Sequence, residues 1–105
     1  MGKTVNVSGI EALKVKAIIR TLFSLTRNKP PYVYYSINGV SMRTPRKSSY
    51  GRINSEDITR LLEPFVEQDL VRKVIVNDAY GRAIMTCYSI NHNRIGKLEE
   101  HLETI

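Results

Sequence analysis

The residues with the plainest chemistry lie in one short stretch, RTPRKSSYGR, at 43–52. Arg43, Arg46, Lys47 and Arg52 can neutralise phosphates, Ser48 and Ser49 can donate hydrogen bonds to them, and Tyr50 can reach a sugar or stack on an exposed base. A stretch this polar does not pack as core, and its other reading is a solvated loop without a partner. Two further sets lie downstream. Ser55, Thr59 and Arg60 stand on the outward face of the helix that the loop leads into, where side chains of this kind can meet base edges. Lys73, Tyr80 and Arg82, with Arg72, lie on or near a hairpin whose Tyr-Gly-Arg tip suits minor-groove or backbone contact. Ordinary edge-strand cations, which discourage aggregation, are the alternative there.

Catalytic and metal chemistry find no matching pattern. His92 and His101 are nine residues apart, with no cysteine or third histidine at ligand spacing. Gly2-Lys3-Thr4 lacks the upstream glycine of a phosphate-binding loop, and Ser48 and Ser49 have no evident base. The carboxylates fall on helical faces rather than as an opposed pair. The single cysteine, Cys87, lies in an expected strand and reads as a small buried hydrophobe. The expectation is therefore a non-enzyme with no metal and no cofactor.

Charge points the same way as the loop. The chain has 105 residues and a formal net charge of +6, and the excess is uneven. Positions 1–55 carry ten lysines and arginines against Glu11 alone, whereas positions 56–105 carry six against nine carboxylates. Such asymmetry implies a polyanionic partner, and nucleic acid is preferred over a merely soluble basic protein because four of the ten cations share one loop. At 42% apolar residues the chain can bury one core, so one domain is expected over 1–105. No apolar run approaches the ~18 residues of a membrane span, and no leader pattern opens the chain. A soluble cytoplasmic protein with no membrane partner is expected. Asn6 spoils a myristoylation start, and the Asn6-Val7-Ser8 sequon matters only in a secreted protein.

The elements that must position these residues are legible in part. Residues 1–7 read as a flexible arm. Ser8 and Glu11 form a capping box opening a helix to about Thr26, whose many apolar positions make it central and leave Lys16, Arg20 and Arg27 on a polar stripe. That stripe reads chiefly as a solvated face, with phosphate contact as the lesser alternative. Pro30 and Pro31 end the helix. Residues 32–44 admit a hairpin turning at Asn38-Gly39, or a short helix stopped by Gly39 as a left-handed cap, and the helix is preferred. Asn54 caps the next helix, with Asp57 at its third position and Ile53 and Ile58 placed as a hydrophobic staple. Its stripe is Ile58, Leu61, Leu62, Phe65 and Val66, and Pro64 should bend or loosen it. After a turn at Gln68-Asp69, two strands, 71–76 and 82–90, flank hairpin-turn chemistry at 77–81. Alternation assigns Ile84, Thr86, Tyr88 and Ile90 to the core and Ala83, Met85 and Cys87 to the other face. A last helix begins at Asn91 or Asn93 within 91–105, with Ile95, Leu98, Leu102 and Ile105 as a narrow stripe.

The run LLEPFVEQDLVRK, then NDAYGR, then a strand ending CYSIN, resembles the recognition helix, wing and closing strand of winged helix-turn-helix proteins. Leu61, Leu62, Asp69, Leu70, Val71, Arg72, Gly81, Arg82, Tyr88, Ile90 and Asn91 carry the resemblance, over about forty residues. It implies an α+β winged helix-turn-helix fold and double-stranded DNA binding by a transcriptional regulator, with the helix from Ser55 in the major groove and the loop and wing on flanking phosphates. It further implies a homodimer, for which the first and last helices are the expected contact. The acidic residues of the helix from Ser55 repel phosphate, so affinity must come from the loop and wing. RNA binding, or a protein-interaction adaptor using the acidic helix, are the alternative readings.

Overall fold

Eighteen residues, Gly9–Thr26, form the first helix (α1), which drives Val15, Ile18, Ile19 and Leu22 into the centre of the protein. The computed structural model of the protein describes residues 9–104. The proposed arm at 1–7, the Ser8 cap and Ile105 lie outside them. The C-terminal end of α1 is tied to the strand that closes the hairpin. Buried Thr26 donates from Oγ1 to the Leu22 carbonyl at 2.7 Å and accepts from the Ile90 amide at 3.4 Å, and the His92 ring lies 2.8 Å from its carbonyl.

Residues 32–44 take something from both readings. Tyr35–Ser36 is a two-residue strand (β1), but it pairs with the distant strand Ala83–Ile90 (β3), in the register Tyr35 with Tyr88 and Ser36 with Cys87. Ile37–Arg43 is a short helix (α2), and Gly39 lies inside it rather than ending it, so both proposed roles for Gly39 are corrected. The deciding residue is Ser36. Its side chain accepts from the Gly39 amide at 3.0 Å, satisfying one of the orphan donors of the first turn and starting a helix where Asn-Gly would otherwise turn a hairpin.

The third helix (α3, Ser55–Glu67) opens with the expected capping box. The Asn54 side chain accepts from the Asp57 amide at 2.9 Å, and the Asp57 carboxylate accepts from the Asn54 amide at 3.3 Å. Ile53 and Ile58 are both buried, as a staple requires. The helix runs through Pro64 to Glu67, because the Pro64 carbonyl still accepts from Gln68. It ends in a Schellman motif, with the Leu70 amide bonded to Phe65 and the Asp69 amide to Val66, which puts Asp69 at φ 60.

Strands Val71–Asn77 (β2) and β3 make the hairpin, and the antiparallel sheet has the order β1-β3-β2. Asp78 organises the tip: one carboxylate oxygen accepts from the Tyr80 and Arg82 amides, and Gly81 takes φ +80. Burial along the hairpin depends on distance from the body rather than on strand face. Tyr88 and Ile90 are buried as expected, but so are Cys87 and Ser89 on the opposite face, while Ile84 is 61% exposed. The core assignment of Ile84 is thus corrected, because the hairpin projects past the packed body and residues 72–77 and 83–85 are exposed whichever face they take.

The last helix begins later than expected. Asn91 caps a 3-10 turn, His92–Arg94, and the α-helix proper (α4) is Ile95–Thr104. Leu98 is buried and Ile95 and Leu102 pack against the core of the same chain. Among the described residues four helices and a three-stranded antiparallel sheet make an α+β fold whose element order is compatible with a winged-helix arrangement.

Candidate nucleic-acid interface

The loop between α2 and α3 is held at several points. Tyr50 donates from its hydroxyl to the Pro45 carbonyl at 2.6 Å while its ring packs on the core, and Ser41 Oγ donates to the Ile53 carbonyl at 2.9 Å. Between these anchors the chain turns tightly at 47–51, with the Gly51 amide bonded to the Lys47 carbonyl and Gly51 at φ +75. Arg46, Lys47, Ser48, Ser49 and Arg52 are left exposed on a fastened loop. Arg43, at the end of α2, lays its guanidinium 5.6 Å from the centre of the Tyr35 ring and donates to the Gly39 carbonyl.

On α3 the arrangement differs. Arg60 Nη1 donates to both Glu11 carboxylate oxygens at 2.8 Å, and Nη2 donates to Asp57 Oδ1 at 3.1 Å. Asp57 is 8% exposed and also receives Lys14 Nζ at 3.3 Å. Its desolvation pushes the carboxyl pKa up, but the Asn54 amide, Lys14 and Arg60 outweigh that and hold it below the usual carboxylate value. Ser55 Oγ reaches Asn38 Oδ1 at 3.4 Å, Thr59 Oγ1 bonds the Ser55 carbonyl, and both residues remain exposed. Glu56 and Glu67 share the outer surface of the helix with them.

The hairpin cations are paired as well. Lys73 Nζ is 3.3 Å from Glu63, and Arg82 Nε is 2.9 Å from Asp78 with its guanidinium 5.5 Å from the Tyr80 ring centre. Tyr80 itself is 84% exposed. The backbone amide of Arg82, then that of Tyr80 and the Arg82 guanidinium, outweigh desolvation and hold the Asp78 carboxyl below its ordinary value.

The sequence-derived set therefore divides. Arg60, Lys73 and Arg82 are neutralised by carboxylates within the fold, whereas Arg43, Arg46, Lys47 and Arg52 have no carboxylate partner among the described residues. Outside that set Lys16, Arg20, Arg27, Lys29, Arg72 and Arg94 also lack one among the described residues, and of these Lys16 and Arg20 of α1 line one groove with Arg43 and Lys47. Their i,i+4 spacing gave a signal, since it puts both on one face of α1, but the facing loop is invisible to helical periodicity. Among the described residues no three His, Cys, Asp or Glu side chains are grouped to hold a metal ion, and no helix is long and apolar enough to cross a membrane. Compared with family models, curated proteins and solved structures, the chain matches none.

Proposed function

We propose that this protein binds double-stranded DNA in a sequence-specific manner and acts as a dimeric transcriptional regulator. The observation that carries the reading is the gathering of cations without carboxylate partners on the anchored loop that leads into α3, while the cations of α3 and the hairpin tip are ion-paired. In this reading Arg43, Arg46, Lys47 and Arg52 neutralise backbone phosphates and Ser48 and Ser49 donate to them. Ser55 and Thr59, at the start of α3, meet base edges. Arg60 can join them only by exchanging Glu11 and Asp57 for a base, so it is a weaker contributor. Lys73 and Arg82 likewise have to leave Glu63 and Asp78 to reach phosphate. The acidic outer surface of α3 places the main electrostatic attraction on the loop.

The proposed homodimer draws on what the start of α1 still exposes, notably Ile10, because Leu98 of α4 is buried within its own chain. One observation favours the RNA alternative: the exposed Tyr80 ring beside Arg82 is a surface on which an unpaired base can stack. Titration against randomised duplex DNA and matched RNA pools at two salt concentrations, with sequencing of what binds, separates the two. Enrichment of a palindromic duplex is the expected outcome. Arg46→Ala with Lys47→Ala should then weaken binding to all sequences and lower the magnitude of the log-log salt slope by about 0.9 per lost phosphate contact. Enrichment of RNA supports the alternative, and binding to neither pool ends the nucleic-acid reading.

A further inference from the structure

One groove, between α1 and the α2–α3 loop, has a volume of about 430 Å³. Lys16, Arg20 and Ser24 line it from α1, and Arg43, Lys47 and Ser49 from the other wall, Arg43 with its guanidinium turned toward Tyr35 and the Gly39 carbonyl. Among the described residues no carboxylate lines it, and Glu99 lies with Arg20 and Ser24 on an adjoining hollow. Four cations brought together without counter-charge repel one another, and a bound polyanion relieves that repulsion. Ala17 and Leu25 supply apolar lining that strengthens electrostatic attraction relative to open water. Lys16 and Arg20 stand just over one helical turn apart, ~6 Å along the axis, so they can meet successive phosphates of one strand. The far wall is ready-made, because the Tyr50–Pro45 and Ser41–Ile53 hydrogen bonds fasten the loop and little ordering remains to be done on binding.

We infer that this groove seats consecutive backbone phosphates of a nucleic-acid strand, so that the bound duplex runs along α1 beside the start of α3. The inference rests on the duplex-binding reading and adds to it a track whose cations the sequence alone reads chiefly as a solvated face, with phosphate contact the lesser alternative. The ion pairs Lys14–Asp57 and Arg60–Glu11 fix the orientation of this track by clamping the N-terminal half of α1 to the first two turns of α3.

The test is the double variant Lys16→Ala with Arg20→Ala, titrated against the duplex enriched from the pool over a series of salt concentrations. If both side chains hold phosphates, the magnitude of the salt slope falls by about 1.8, twice the value for one contact, with base preference unchanged. The charge-conserving pair Lys16→Arg with Arg20→Lys should restore most of the slope. A slope and affinity equal to the parent's, while Arg46→Ala with Lys47→Ala still lowers the slope, would overturn the groove and leave the duplex reading standing. Failure of the parent to bind either pool would remove both. Should the double variant not fold, Ser24→Glu places a carboxylate among the four cations at an exposed position. Its expected effect is a loss of affinity of roughly tenfold at low salt, and unchanged binding would count against the groove.

Discussion

Asp57 is the residue on which several lines of the structure meet. It completes the cap of α3 and accepts from Lys14 and Arg60, so a single carboxylate joins α1 to α3. Because its folded pKa lies below its unfolded value, the stability it contributes is present above the unfolded pKa, about 3.9, and is lost as the pH falls through the folded pKa. Asp57→Asn should therefore lower stability at pH 7 by about 1 kcal/mol, the usual worth of a cap, and flatten the acid limb of the stability profile. Urea unfolding at pH 7 and pH 3 checks this; an unchanged difference between the two would mean that the charge of Asp57 does not matter to the fold. The cap was legible from Asn54 and Asp57 alone. The bridge to α1 was not, since Lys14 and Glu11 are more than forty residues away in the chain.

At the scale of elements, helix limits followed local chemistry and went astray where a distant partner intervened. The turn after α3 was expected at Gln68-Asp69 and lies there, with Asp69 in the left-handed conformation that glycine adopts more readily. Asp69→Gly should raise stability by about 1 kcal/mol, read as a shift of the denaturation midpoint without a change in slope. Loss of stability instead would show that the Asp69 side chain contributes more than its backbone strain costs. The hairpin tip was equally legible from Asn-Asp-Ala-Tyr-Gly. What alternation could not give is where along the hairpin the body ends. Ile75 and Ile84 are apolar by type yet exposed, whereas Ser89 is polar and fully buried. Residues 35–36 illustrate the same limit, because a two-residue strand exists only by virtue of the β3 edge it meets.

For the molecule as a whole, α4 closes the core against α3. Leu98 is fully buried, and the ring of His101 meets Phe65 edge-on at 6.2 Å between centroids. Leu98→Ala should cost about 2–5 kcal/mol, measured by chemical denaturation, because the cavity it leaves lies inside the buried core cluster. A cost below 1 kcal/mol would mean that α4 is only loosely docked and that its stripe is available to a partner after all. Charge is organised on the same scale. Arg60 of α3 and Lys73 and Arg82 of the hairpin are paired, whereas the loop cations and Lys16 and Arg20 of α1 are not, which makes the groove between α1 and the loop an electropositive approach for a polyanion.

By itself the sequence determined a first helix ending near Thr26, the capped helix from Ser55, the hairpin and its tip, and the basic character of the loop at 43–52. Each of these rests on interactions within a few residues or on a period of 3.6 or 2 along one element. Tertiary structure alone decided the helical start at Ile37, the pairing of β1 with β3, the exposure of Ile84, and above all which cations are open. A formal charge is a property of a residue, but its availability to a partner depends on the carboxylates that folding brings within about 4 Å. Those contacts join Arg60 to Glu11 and leave Lys16, Arg20, Arg43 and Lys47 facing one groove.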